Sequence, residues 1–148
     1  YIISQLLDFQ PSSNGTDIPY ALKFFTDALK KRCTTFLISD FIDEHDMYKS
    51  LSIASNKHDV ISVQVYDKRD TSLPDIGLVK VTDMETGKSG WIDTSSKTVR
   101  KNYSKHWYDR QQRVTDTMMR CKIDMVSIAT DEDYVKALMM LFKNRGVR

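Results

Sequence analysis

Three oxygen-rich runs follow or precede apolar stretches, and they hold the side chains best suited to chemistry. Asp40 comes straight after Thr34–Ser39, inside Ser39-Asp40-Phe41-Ile42-Asp43-Glu44. Gly15-Thr16-Asp17 stands before a helix-like run, and Thr130-Asp131 closes a third apolar segment. A hydroxyl and a carboxylate on adjacent loops suit a hard divalent cation such as Mg²⁺, which takes oxygen ligands. Asp40, Asp43 and Glu44 together would also suit metal-assisted hydrolysis. Helix capping and solvated loop acids use the same residue types, and residue type alone ranks that plainer role first.

Other chemistries find less support. His45, His58 and His106 are isolated and form no His-x-x-x-His pair, which argues against zinc. Cys33 and Cys121 lie 88 residues apart and form no metal or redox motif. Neither has a histidine at catalytic-motif spacing. Each is expected to open a core strand as a small buried hydrophobe, reduced, in a cytoplasmic protein. There is no Gly-x-Gly-x-x-Gly, no Gly-Lys-Ser/Thr loop, and Ser39 sits in no Gly-x-Ser-x-Gly elbow.

These residues need elements to hold them. Residues 1–9 read as the end of a helix with Ile2, Ile3, Leu6 and Leu7 on one face, followed by a turn-rich loop at 10–15. Thr16-Asp17-Ile18-Pro19 starts a helix carrying Ala21, Leu22, Phe25, Ala28 and Leu29, with Lys30-Lys31-Arg32 at its negative end. Residues 34–39 and 59–66 are short, β-branched runs with little alternation, the pattern of strands buried on both faces. A helix over 47–56 with Leu51, Ile53 and Ala54 separates them. Residues 77–82 and 89–94 flank a Gly-containing turn at 83–88 and predict a β-hairpin. A long helix is expected from 96 to 119, a third core strand over 121–128, and a last helix capped by Asp131-Glu132-Asp133. The paired methionines Met118-Met119 and Met139-Met140 read as core filling.

The order α-α-β-α-β-hairpin-α-β-α predicts a parallel sheet with helices on both faces. Three core strands and a helix at the start look like the C-terminal half of a doubly wound sheet, so residues 1–148 are read as one partial domain. Composition agrees with a globular chain: 41% hydrophobic, 28% charged, 148 residues. No apolar run is long enough for a membrane span. The opening at Tyr1, with no basic lead or cleavage-type site, argues for a piece of a longer protein.

Charge is uneven. Residues 96–148 hold 12 basic and 6 acidic side chains, while the rest of the chain is net acidic. Over 97–113, Lys97, Arg100, Lys101, Lys105, Arg110 and Arg113 interleave with Tyr103, Trp107 and Tyr108, a composition that suits nucleic acid. On a helix, however, Val99, Tyr103, Trp107, Val114 and Met118 form one stripe opposite Lys97, Lys101 and Lys105. An amphipathic helix packed on the sheet is therefore expected, with a nucleic-acid module as the alternative.

Gly15-Thr16-Asp17-Ile18 with Ala21-Leu22, then Phe36-Leu37-Ile38-Ser39-Asp40-Phe41, resembles the second half of a von Willebrand factor A-type domain. Lys57-His58-Asp59-Val60-Ile61, Leu73-Pro74-Asp75-Ile76-Gly77 and Thr86-Gly87-Lys88 with Trp91-Ile92-Asp93-Thr94 are similar to a bacterial family of von Willebrand A-like proteins of unknown function encoded beside MoxR-type AAA+ ATPases. That resemblance implies a partial von Willebrand A-like, Rossmann-type three-layer α/β sandwich, with a β-hairpin inserted among parallel core strands. It also implies a metal-ion-dependent adhesion site, built from an Asp-x-Ser-x-Ser, a Thr and an Asp on three loops. Thr16 matches the Thr and Asp40 the final Asp, while no Asp-x-Ser-x-Ser occurs in this chain.

The implied role is a protein–protein interaction module, without enzymatic turnover, acting with a MoxR-type ATPase through Mg²⁺ in the full-length protein. Asp43 and Glu44 are then candidate partner contacts. Little or no metal is expected on this chain alone. In the family's sheet order the missing first strand lies beside Thr34–Ser39, so that strand is expected to be an open apolar edge through which the chain self-associates.

Overall fold

Short β-branched runs between amphipathic helices fold here into one parallel sheet with helices on both faces and a separate hairpin. The structure is a computed structural model that describes residues 2–9, 15–43, 45–82 and 87–146. The loop at 10–14, Glu44 and the hairpin tip at 83–86 lie outside the described residues.

The elements run α1 (Ile2–Asp8), α2 (Ile18–Ala28), β1 (Thr34–Ser39), α3 (Tyr48–Lys57) and β2 (Asp59–Tyr66). A 3₁₀ turn (Lys68–Thr71) leads to β3 (Leu78–Thr82) and β4 (Ser89–Asp93), then α4 (Lys97–Arg120), β5 (Asp124–Ala129) and α5 (Tyr134–Gly146). The main sheet has the order β1-β2-β5, parallel throughout, with Thr34 opposite Asp59 and Ile61 opposite Asp124. β3 and β4 pair antiparallel, as the turn chemistry predicts.

Residues paired across a parallel ladder share a face, and successive residues alternate. Leu37, Val60 and Met125 therefore point to one side. There they meet Ile18 and Leu22 of α2, Leu51 and Ala54 of α3, and Val114 and Met118 of α4 in the main core. The opposite side carries Phe36, Asp59, Ile61 and Asp124, and α5 lies over it. Phe142 stands edge-on to Phe36 at 6.2 Å, and Arg145 bridges Asp59 (2.6 Å) and Asp124 (3.0 Å).

Several expectations change in detail. β2 is buried on both faces, but β1 alternates between half-buried and exposed residues. It has only one neighbour, and α5 covers only part of its outer face, so Ile38 is 65% exposed. Ile53, Met119, Met139 and Met140 are exposed rather than core. α2 ends at Ala28, with Leu29 already extended, so Lys30-Lys31-Arg32 lie beyond the helix. Its buried stripe is Ile18, Leu22 and Thr26.

Cys121 closes α4 instead of opening β5. The amide of Ile123 donates to the Met118 carbonyl and that of Lys122 to Met119, with Lys122 at φ 56°. That left-handed helix stop consumes three residues before the strand begins.

On α4, Val114 and Met118 are buried and Trp107 packs on Tyr66 at 5.5 Å, while Lys97, Lys101 and Lys105 are exposed. The aromatic stripe thus faces the sheet. Among the described residues no helix is long and apolar enough to cross a membrane.

Candidate functional site at the carboxyl rim of the sheet

In open α/β sheets the carboxyl ends of the strands are where loops converge on ligands. Asp40 leaves β1 at that rim, and the chain then turns sharply. Phe41 takes a left-handed backbone, φ 57°, unusual for a residue with a bulky side chain. Two contacts hold it there: the ring is 1% exposed in the main core, and its amide donates to the Ser39 hydroxyl at 3.0 Å. Burying Phe41 leaves Asp40 exposed above it. Asp40 Oδ1 accepts from the Ile42 amide at 3.0 Å, and Oδ2 has no partner among the described residues.

Asp43, a candidate partner contact from the sequence, is bonded within the chain. Its carboxylate is fully enclosed. Oδ2 accepts from the Ile18 amide at 2.8 Å, and Oδ1 accepts from the His45 amide at 2.9 Å and lies 2.6 Å from the His45 ring. Asp43 therefore satisfies a free amide at the start of α2 and fastens the Thr16 segment to the Asp40 loop. Burial acts to raise its pKa, but the amides of His45 and Ile18 and the His45 ring outweigh it, and the net shift is downward. Asp17 caps the same helix through the Tyr20 amide at 2.8 Å. Thr16 is exposed on the segment just before, and Glu44 lies outside the described residues.

Behind Asp40 stands a polar hub. Gln64 is 2% exposed, a buried polar side chain within β2. It exchanges amide bonds with Gln111 of α4 at 2.5 and 2.8 Å, accepts from Ser127 at 2.9 Å and donates to the Asp40 carbonyl at 3.3 Å. The hub joins β2, β5 and the loop that leaves β1 to α4 at one point. Asp40, Gln64, Asp70, Trp107 and Arg110 line a small cleft here. Gln64, Gln111 and Arg110 were not singled out for this site from the sequence. The only available signal was a glutamine inside the strand Asp59–Tyr66.

Thr130-Asp131 also lies at this rim, but Asp131 pairs with Lys68 at 3.0 Å. Among the described residues no three His, Cys, Asp or Glu side chains cluster to hold a metal ion. Thr16 and Asp40 alone are too few donors for Mg²⁺, which wants near-octahedral oxygen coordination. The residues present therefore do not make a complete site for the ion.

At the opposite, amino-terminal edge the parallel register sets Cys33 beside His58. The thiol lies 3.4 Å from Nδ1 of the ring, so a histidine distant in sequence is adjacent in space.

A family model described as "Protein of unknown function DUF58" matches residues 1–114. The uncharacterized protein MAV169 of Mycobacterium avium is 27% identical over 129 residues, covering 87% of this chain and 76% of its own. The uncharacterized protein Rv1480 of Mycobacterium tuberculosis is 25% identical over 137 residues. The match covers 91% of this chain, which spans 42% of that relative's length. The crystal structure of the conserved hypothetical protein BatB from Bacteroides thetaiotaomicron superposes on the whole chain and on 70% of its own, with a TM-score of 0.51 at 15% identity. That likeness speaks to the fold.

Proposed function

The chain belongs to the DUF58 family, and from that premise we propose that its carboxyl rim is a protein-docking site centred on Asp40. One observation carries the reading. The Asp43–Ile18 bond holds the Thr16 and Asp40 loops together at 2.8 Å, with the Asp40 carboxylate exposed and one of its oxygens unpartnered among the described residues. A structural acid would be used up, as Asp43 is; Asp40 is left available.

The domain is that of a von Willebrand A-like interaction module acting by binding, without turnover. In a longer polypeptide, Thr16 and Asp40 are two oxygen donors of a Mg²⁺ site whose other donors lie outside this chain. The partner is a protein bearing an acidic side chain, and a MoxR-type ATPase is the first to test. The free thiols Cys33 and Cys121 suit a cytoplasmic setting. The packing of Trp107 on Tyr66 disfavours base stacking by α4.

The test is co-purification of the full-length protein with a MoxR-type ATPase, with Mg²⁺ and with a chelator. Asp40→Ala should abolish Mg²⁺-dependent capture with circular dichroism unchanged. Capture that survives both the substitution and the chelator rejects the site.

A further inference from the structure

We propose that Cys33 is a nucleophilic thiol that undergoes reversible thiolation by low-molecular-weight disulfides, with His58 as its base. The inference is independent of the carboxyl rim, since the pair sits at the other end of the sheet.

The geometry begins with the register of the sheet. Thr34 pairs with Asp59, and the Asp59 amide donates to the Cys33 carbonyl at 2.9 Å, so residues 33 and 58 are neighbours just before their strands. Cys33 Sγ lies 3.4 Å from His58 Nδ1 and 3.5 Å from the Thr35 hydroxyl. The imidazole is 1% exposed, packed at a tilt of 54° against the Phe25 ring with centroids 4.6 Å apart, and its Nε2 has no hydrogen-bond partner among the described residues. The thiol is thus the ring's only polar side-chain partner there. Enclosing an imidazole with one nitrogen unsatisfied is unfavourable, and a leucine would fill the same space without that cost. A base held against a sulfur explains the choice.

Cys33 is half-buried, whereas Cys121 is buried, donates to the Tyr48 carbonyl at 3.7 Å, and has its thiol pKa pushed up by burial, with Arg120 pulling the other way. The two thiols should therefore differ in reactivity.

The step balances without any further oxidant. In the tautomer with its hydrogen on Nε2, Nδ1 takes the Cys33 proton as Sγ attacks one sulfur of the disulfide. A new S–S bond forms, the disulfide's own S–S bond breaks, and the departing thiolate receives the proton back from Nδ1. The products are the mixed disulfide on Cys33 and one free thiol.

The native chain would be treated with dithiodipyridine or glutathione disulfide and each cysteine followed by peptide mass mapping, in buffer and in urea. Cys33 should react faster in the folded chain than in the unfolded one, and Cys121 more slowly. His58→Gln should slow Cys33 on the order of 100-fold, at the low end of general-base effects. A folded Cys33 no faster than its unfolded counterpart overturns the proposal, and so does a folded His58→Gln variant with an unchanged rate. Should that variant fail to fold, the folded-to-unfolded ratio of the native chain decides alone.

Discussion

Asp43 shows how one side chain can settle the shape of a site without being its contact surface. Its carboxylate answers an orphan amide at the start of α2 and two donors of His45. Removing it by Asp43→Ala leaves the Ile18 amide unpaired, and should cost about 1–3 kcal/mol in chemical denaturation. Asp43→Asn keeps an acceptor and should cost less. The folded pKa lies below the ordinary value, so the stabilisation is complete above the unfolded pKa and fades as pH falls through the folded one. The difference between native and Asp43→Ala stability should therefore be constant near neutrality and shrink below about pH 3.9. Equal melts at pH 7 would show that the latch contributes nothing. The left-handed Phe41 next door belongs to the same design, because its ring anchors in the core while Asp40 stays out.

The helix stop at α4 carries a second non-glycine residue in the left-handed region, Lys122 at φ 56°. Both of its bonds are in place, Ile123 to Met118 and Lys122 to Met119, and Ile123 and Met118 are both in the core. Lys122 is exposed, so Lys122→Gly loses no packing and removes the steric cost of that conformation. It should stabilise the chain by about 1 kcal/mol, roughly 2–4 °C in Tm. A lower Tm would mean that the lysine side chain does something the geometry misses.

This turn also marks where the sequence stopped being readable. β2 is plain from its density of β-branched residues, Val60, Ile61, Val63 and Val65, and the hairpin from its turn residues. The extent of β5 is not, because a positive-φ stop without glycine leaves no signature in residue types. The same division applies to the rim. Asp40 could be found as a carboxylate at the end of an apolar run. The roles of Asp43 and Gln64 could not, since their partners lie 25 and 47 residues away.

Strand order decides how the whole molecule meets others. β1 has β2 on one side and no partner strand on the other among the described residues. Soluble proteins usually blunt such an edge with lysine, proline or a bulge. Thr34–Ser39 has neither lysine nor proline, and its outer face shows Phe36 at 46% and Ile38 at 65% exposure. Another strand, from elsewhere in a longer polypeptide or from a second copy, would satisfy the free backbone groups and cover these side chains. We therefore expect this chain to self-associate at tens of micromolar, where an association of about −6 to −7 kcal/mol becomes visible by sedimentation. Ile38→Lys places a charge on that edge at little cost to the core, because Ile38 is mostly in solvent. It should return the chain to monomer with its circular dichroism intact. A native chain that sediments as a monomer throughout this range would show that the exposed edge is tolerated and that β1 is not a docking strand.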